Sequence, residues 1–200
     1  AYQMFIFCTA KTIQSLDLSS CTDYRSCFDQ SKLQTIPSFD TSKATNMLSM
    51  FSGCTNLVSV PSMNTSSVTN MGSMFSGCTI LETIGEIDLI KASSVSSMFN
   101  NCKALTTITL KNIKVNLQLG SGTTYGHLLS TDSLINAIAE LVQQTSSRTL
   151  TIGSANLSKL ANTYVKLLDD DGSGKLPFEV CESTDEGAML IKDYVGLKNW

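Results

Sequence analysis

The sequence predicts an α/β fold of the solenoid kind, built from coils of about 24 residues. Three observations predict it. The string MFSGCTNLVSV starts at Met50, MFSGCTILETI at Met74 and MFNNCKALTTI at Met98, so one motif returns every 24 residues. Within the copies Phe51, Phe75 and Phe99 fall in register, as do Cys54, Cys78 and Cys102, then Leu57, Leu81 and Leu105. After about residue 110 the motif gives way to segments of plain helical and strand periodicity. One coil of this length cannot bury its apolar side alone, whereas a stack of coils buries a continuous ladder of like residues.

Taken in order, the array covers roughly residues 10–110. A degraded copy precedes the three clear ones: Cys27 and Phe28 stand for the Met-Phe pair, and Leu33 and Ile36 for the Leu-x-x-Ile pair. Short segments around Val60, Ile84 and Ile108 are expected to pair as parallel strands ~4.8 Å apart. The Met-Phe pair fills the back of the core from a turn or a short helical piece. Gly and Asn in SGC and NNC suit tight turns before each strand. The metronomic Cys54, Cys78 and Cys102 read as a column of buried thiols acting as small hydrophobes. The chain has seven cysteines, an odd number that forbids complete internal pairing. The opening MFIFC run, with no initiator Met, reads as the start of a piece excised from something longer that lacks an N-terminal cap.

Beyond the array, LTTITLKNIKVNLQL alternates like strand, and GSGTTYGHL is a turn-rich break. STDSLINAIAELVQQ places apolar residues at 134, 135, 138, 141 and 142, one face of a helix, with Ser130 or Thr131 as cap. RTLTIG reads as a strand continuing the same sheet through Leu150 and Ile152, and SANLSKLANTYVKLL as a second helix. KLPFEV is strand-like, and STDEGAMLIKDYVGLKNW reads as a helix with a capping box from Ser183 to Glu186. The predicted organisation is therefore an array over 1–127, a longer helix-containing coil over 128–168 and a C-terminal helical cap over 169–200.

Composition narrows the function. The net charge is −3 and the pI about 5.1, so no basic footprint points to nucleic acid. No apolar run is long enough to span a membrane. Charged residues make up only 16% of the chain, and Ser and Thr fill the gap. Such a hydroxyl-coated surface fits an extracellular, cell-surface setting, with a virion surface as the alternative.

The segments TNMLSMFSGCTNL and TNMGSMFSGCTIL give the repeat a sharper signature. In their M-x-x-M-F-x-x-C pattern and C-x-x-L-x-x-I core they resemble the BspA-like (Treponema-type) leucine-rich repeat of bacterial surface proteins. The resemblance covers about half the chain. It implies a leucine-rich-repeat solenoid with a parallel β-sheet, short convex-side turns or helices, and a surface that binds partners; it implies no catalytic residues.

The expected function is accordingly non-enzymatic recognition of a protein or glycan on a host or bacterial surface, by a chain that is part of a longer polypeptide or assembly. The candidate contact residues flank the inward-facing residue of each coil: Gln34 and Thr35, Val58 and Ser59, Glu82 and Thr83, Thr106 and Thr107. The second of each pair is always a hydroxyl. Two other classes compete with this reading. One is a phage tail or receptor-binding component carrying the same repeat; the other is a plain structural spacer. No cofactor is expected. The Asp169–Glu179 loop offers Asp169, Asp171, Ser173 and Gly174 at calcium-loop spacing, but Val180 stands where a bidentate Glu is needed, so a solvated acidic turn is the plainer reading and Ca²⁺ the alternative. His127, the only histidine, has no marked nucleophile or orienting acid beside it in sequence.

Overall fold

The computed structural model describes residues 1–113, 115–119, 129–142, 150–152, 164–167, 178–181 and 189–190. Among these the fold is α/β, with a small three-stranded parallel sheet and one helix. The sheet consists of β1 (Ser59–Val60), β2 (Thr83–Asp88) and β3 (Thr107–Lys111). Its register repeats the sequence period: Ser59 pairs with Thr83 and Thr83 with Thr107, Val60 with Ile84 and Ile84 with Ile108. A single bridge between Thr35 and Ser59 carries the pairing one repeat further back.

The opposite side of each repeat is held by turns rather than by helix. Every second N–H in the Met-Phe segment closes a turn within its own repeat: Met50 donates to the Met47 carbonyl (3.2 Å) and Ser52 to that of Ser49 (3.1 Å). The intervening N–H groups cross to the next repeat, Ser49 to Gly72, Phe51 to Met74 and Gly53 to Ser76, at 2.7–2.9 Å. No donor in this stretch is left for water to satisfy, so it can be buried. Two left-handed residues per repeat make the geometry possible: Ser49 and Gly53, Ser73 and Gly77, Ser97 and Asn101, all at positive φ. Gly and Asn stand at the second of these positions because they tolerate that conformation best.

Inside the two hydrogen-bonded sides runs a ladder of phenylalanines. Phe5, Phe28, Phe51, Phe75 and Phe99 stack in sequence with centroids 5.2, 5.3, 5.7 and 6.0 Å apart and rings within 4° of parallel. Met50, Met74 and Met98, Leu33, Leu57, Leu81 and Leu105, and Ile36, Val60, Ile84 and Ile108 are buried beside them. The stack reaches Phe5, so residues 4–8 are a further copy of the motif, M-F-x-x-C, with Phe7 donating its N–H to the Asp29 carbonyl (2.9 Å). The MFIFC run thus packs as part of the repeat array.

Helix α1 (Thr131–Val142) forms where its apolar spacing places it, with Leu134, Ile135 and Ile138 buried. Ser130 is the cap, its Oγ accepting the Ser133 N–H at 3.2 Å. The helix start closes the outer edge of β3. Ser133 Oγ accepts from the Ile108 N–H and Asn136 Oδ1 from the Leu110 N–H, both at 3.0 Å, and the Ser130 N–H donates to the Thr106 carbonyl. That position corrects the expectation that Leu150 and Ile152 extend the same sheet: β5 (Leu150–Ile152) pairs instead with β4 (Leu117–Leu119), as a separate parallel pair.

Two expected helices also contain strand. β6 (Tyr164–Leu167) lies antiparallel between β7 (Phe178–Cys181) and β8 (Met189–Leu190), so neither the 154–168 segment nor the C-terminal cap is wholly helical. Tyr164 and Val165 are good strand formers, and pairing on both edges outweighs a weak helical period. The strand reading of KLPFEV agrees with β7.

The phenylalanine stack yields a direct test. Phe75→Ala removes the ring that bridges Phe51 and Phe99, and should cost about 3–5 kcal/mol in urea unfolding. A loss below about 1 kcal/mol would mean the stack does not hold the array together.

Candidate functional site

The eight residues singled out in the sequence fall on the strand side, in two adjacent columns. Thr35, Ser59, Thr83 and Thr107 are in register through the Thr35–Ser59 bridge and the β1–β2–β3 ladder. Gln34, Val58, Glu82 and Thr106 form the neighbouring column through the backbone: Val58 donates to the Gln34 carbonyl (3.1 Å), Glu82 to that of Val58 (2.8 Å) and Thr106 to that of Glu82 (3.0 Å). Seven of the eight are exposed and Ser59 is half-buried. Each is positioned by the buried residues on either side, such as Leu57 and Val60 or Leu81 and Ile84, which cannot shift without breaking the core. The face is mostly neutral and polar, with Glu82 its one charge and Val58 its one aliphatic side chain.

Several polar columns that sequence reading missed turn out to be structural. Asp23, Asn46 and Asn70 each accept the N–H two residues on, from Arg25, Leu48 and Gly72, at 3.0–3.1 Å. Asp17, Asp40, Asn64 and Asp88 do the same for Ser19, Ser42, Ser66 and Ile90. Their recurrence at repeat spacing was the available signal. These bonds hold the Asp17 and Asp40 carboxyls below their ordinary range, through the N–H groups of Ser19 and Ser42, and the Arg25 guanidinium does so for Asp23. At the far end of the sheet Lys111 and Glu86 form an exposed ion pair at 2.8 Å, which contributes little.

Among the described residues no group of three His, Cys, Asp or Glu side chains stands together as a metal site would require. His127 and the loop from Asp169 to Pro177, with its calcium alternative, lie outside the described residues. No described helix is long and apolar enough to cross a membrane.

The array that builds this face is also what comparison with known proteins picks out. Residues 1–113 match the family described as "Mycoplasma protein of unknown function, DUF285". The chain belongs to the DUF285 family. No curated protein and no solved structure matches it. In this DUF285 chain the matched segment contains all eight residues of the face, the phenylalanine stack and the cysteine column.

That column is a ladder of free thiols. Cys54 donates its S–H to the Phe28 carbonyl (2.9 Å), Cys78 to that of Phe51 (3.0 Å) and Cys102 to that of Phe75 (3.0 Å). Ser31 heads the column, its Oγ 3.4 Å from the Cys54 sulfur. Burial pushes the Cys102 and Cys27 thiols up to about 12. Such thiols stay protonated and are poor nucleophiles.

Two outcomes follow from the ladder. In the folded protein a thiol reagent should modify the half-buried Cys8 and Cys21, while Cys27, Cys54, Cys78 and Cys102 react only after denaturation; peptide mass spectrometry reads each site, and fast labelling of the last three would contradict the packing. Alkali should also destabilise the fold. Above pH 9, the ordinary thiol value, the unfolded chain sheds protons that folded Cys27 and Cys102 retain up to about 12. Stability is therefore full below pH 9 and falls by roughly 1.4 kcal/mol per thiol per pH unit above it. Cys102→Ala should flatten the slope of unfolding free energy against pH by about that amount, and an unchanged slope would refute the assignment.

Proposed function

We propose that the chain is a non-enzymatic, extracellular recognition module: a leucine-rich-repeat solenoid of the BspA-like kind, displayed on a bacterial surface and binding a protein or glycan through its exposed strand face. The observation that carries this reading is the in-register row of Thr35, Ser59, Thr83 and Thr107 beside Gln34, Val58, Glu82 and Thr106. The repeat-to-repeat pairing, the turn ladder and the phenylalanine stack support the solenoid, with one coil per repeat. Membership in a family described from Mycoplasma supports the bacterial setting over a phage particle.

The mechanism is additive contact on a rigid template. Four rows at ~4.8 Å steps present hydroxyls whose backbone is already fixed, so a partner orders little of the protein on binding. Each polar contact is small, and affinity accumulates over rows around the apolar patch at Val58.

A binding panel tests the reading. Matrix proteins, mucin glycans and intact bacterial envelopes are presented to the wild-type chain and to a Thr35/Ser59/Thr83/Thr107→Lys variant. Binding to at least one surface is expected, weakened about tenfold or more in the variant. Absence of binding throughout would assign the chain to the framework of a larger assembly.

A further inference from the structure

A second surface feature lies off the strand face, on the side of the turns. A groove of about 480 Å³ crosses four consecutive repeats and is lined by Phe7 and Thr9, Gln30 and Lys32, Gly53 and Thr55. We infer that this groove is a glycan site, with Phe7 as the stacking platform and Lys32 selecting acidic sugars. The inference rests on the reading of the chain as a recognition module, yet uses none of the eight strand-face residues.

Phe7 is the residue that the repeat does not explain. It occupies the left-handed position held by Gln30, Gly53, Gly77 and Asn101 in later repeats, with φ of 55°. Gly and Asn suit that conformation, whereas a bulky aromatic is strained in it. Burial does not compensate for the strain, since Phe7 is 60% exposed. Its backbone N–H is engaged with Asp29, so the ring is presented from a fixed main chain.

The rest of the lining complements a pyranose. A sugar ring has an apolar C–H face, which stacks on an aromatic, and an edge of hydroxyls, which needs donors and acceptors. Thr9, Ser52, Thr55 and Ser76 supply hydroxyls, Gln30 an amide and Lys32 an ammonium. Gly53 keeps the floor open: a Cβ there would come within 2.8 Å of Gln30 Cγ. Repeats ~4.8 Å apart advance by close to the length of one pyranose, so an extended oligosaccharide meets a new coil with each residue. Lys32 is the charged group of the lining, which favours a carboxylate or sulfate on the sugar.

The test is calorimetric titration of the whole chain with acidic tetrasaccharides of hyaluronan and chondroitin sulfate, against neutral maltotetraose and chitotetraose. Binding of an acidic tetrasaccharide is expected. It should weaken about tenfold or more in Phe7→Ala, persist in Phe7→Trp, and lose its preference over the neutral sugars in Lys32→Gln. Thermal melting checks that each variant folds, which the exposure of both side chains favours. A Thr35/Ser59/Thr83/Thr107→Ala variant should bind the tetrasaccharide as the wild type does. Failure of every tetrasaccharide, or full binding by a folded Phe7→Ala protein, overturns the inference. If the row variant alone loses binding, the strand-face reading stands and the groove does not.

Discussion

The structure depends on how backbone donors and acceptors are shared between neighbouring repeats. On the strand side each N–H points back to the preceding repeat, Glu82 to Val58 and Thr106 to Glu82. On the turn side it points forward, Phe51 to Met74 and Phe75 to Met98. Every middle repeat therefore both gives and receives on each flank. An inserted or deleted residue between the two sides would break one ladder while the other stayed in register. That double constraint fixes the repeat length and forces like residues into columns.

The columns follow from this constraint, and the cysteine is the least obvious of them. The Phe51 carbonyl already accepts from the Cys54 N–H within its own repeat, yet has a second lone pair facing the core. A thiol from the next repeat reaches that lone pair with a weak donor and little desolvation cost. A hydroxyl would form a stronger bond but is costlier to bury. Ser31 stands at the head of the column, where its oxygen meets Cys54 as the next group. The Asx columns do the same work at the surface, each side chain accepting an N–H that the turn leaves over.

How much of this was legible in the sequence depends on the kind of signal. Phe, Cys, Leu and Ile columns were visible because identical buried residues recur at one spacing. The register of Thr35, Ser59, Thr83 and Thr107 followed from the same period. The copy at Met4, Phe5 and Cys8 was equally present, 23 residues before Cys27, Phe28 and Ser31, but Ser replaces Cys in between and hides the match. Placement of α1 against the edge of β3 was not legible, since it rests on two side-chain acceptors, Ser133 and Asn136, that no period marks. Tyr164–Leu167 and Met189–Leu190 were misread because a few apolar residues fit helix and strand alike, and long-range pairing decides between them. Register also says nothing of affinity: a row of Thr and Ser satisfies a solvent-facing parallel sheet whether or not anything binds.

A protein built from columns reveals its specialised positions by departing from them. Where the core and the hydrogen bonds dictate a residue, the repeats agree, so agreement reports architecture. Val58 and Glu82 break the polarity of their column, and neither is needed to hold the sheet, whose bonds there are all main-chain. Phe7 breaks a position that favours Gly and Asn, and does so exposed, at a cost in strain. Local choices that oppose the fold persist where something other than the fold selects them. On that argument the partner-facing chemistry of this chain lies in the odd residues at its first repeats, Phe7 and Lys32 above all, and the regular rows serve to hold them at fixed steps.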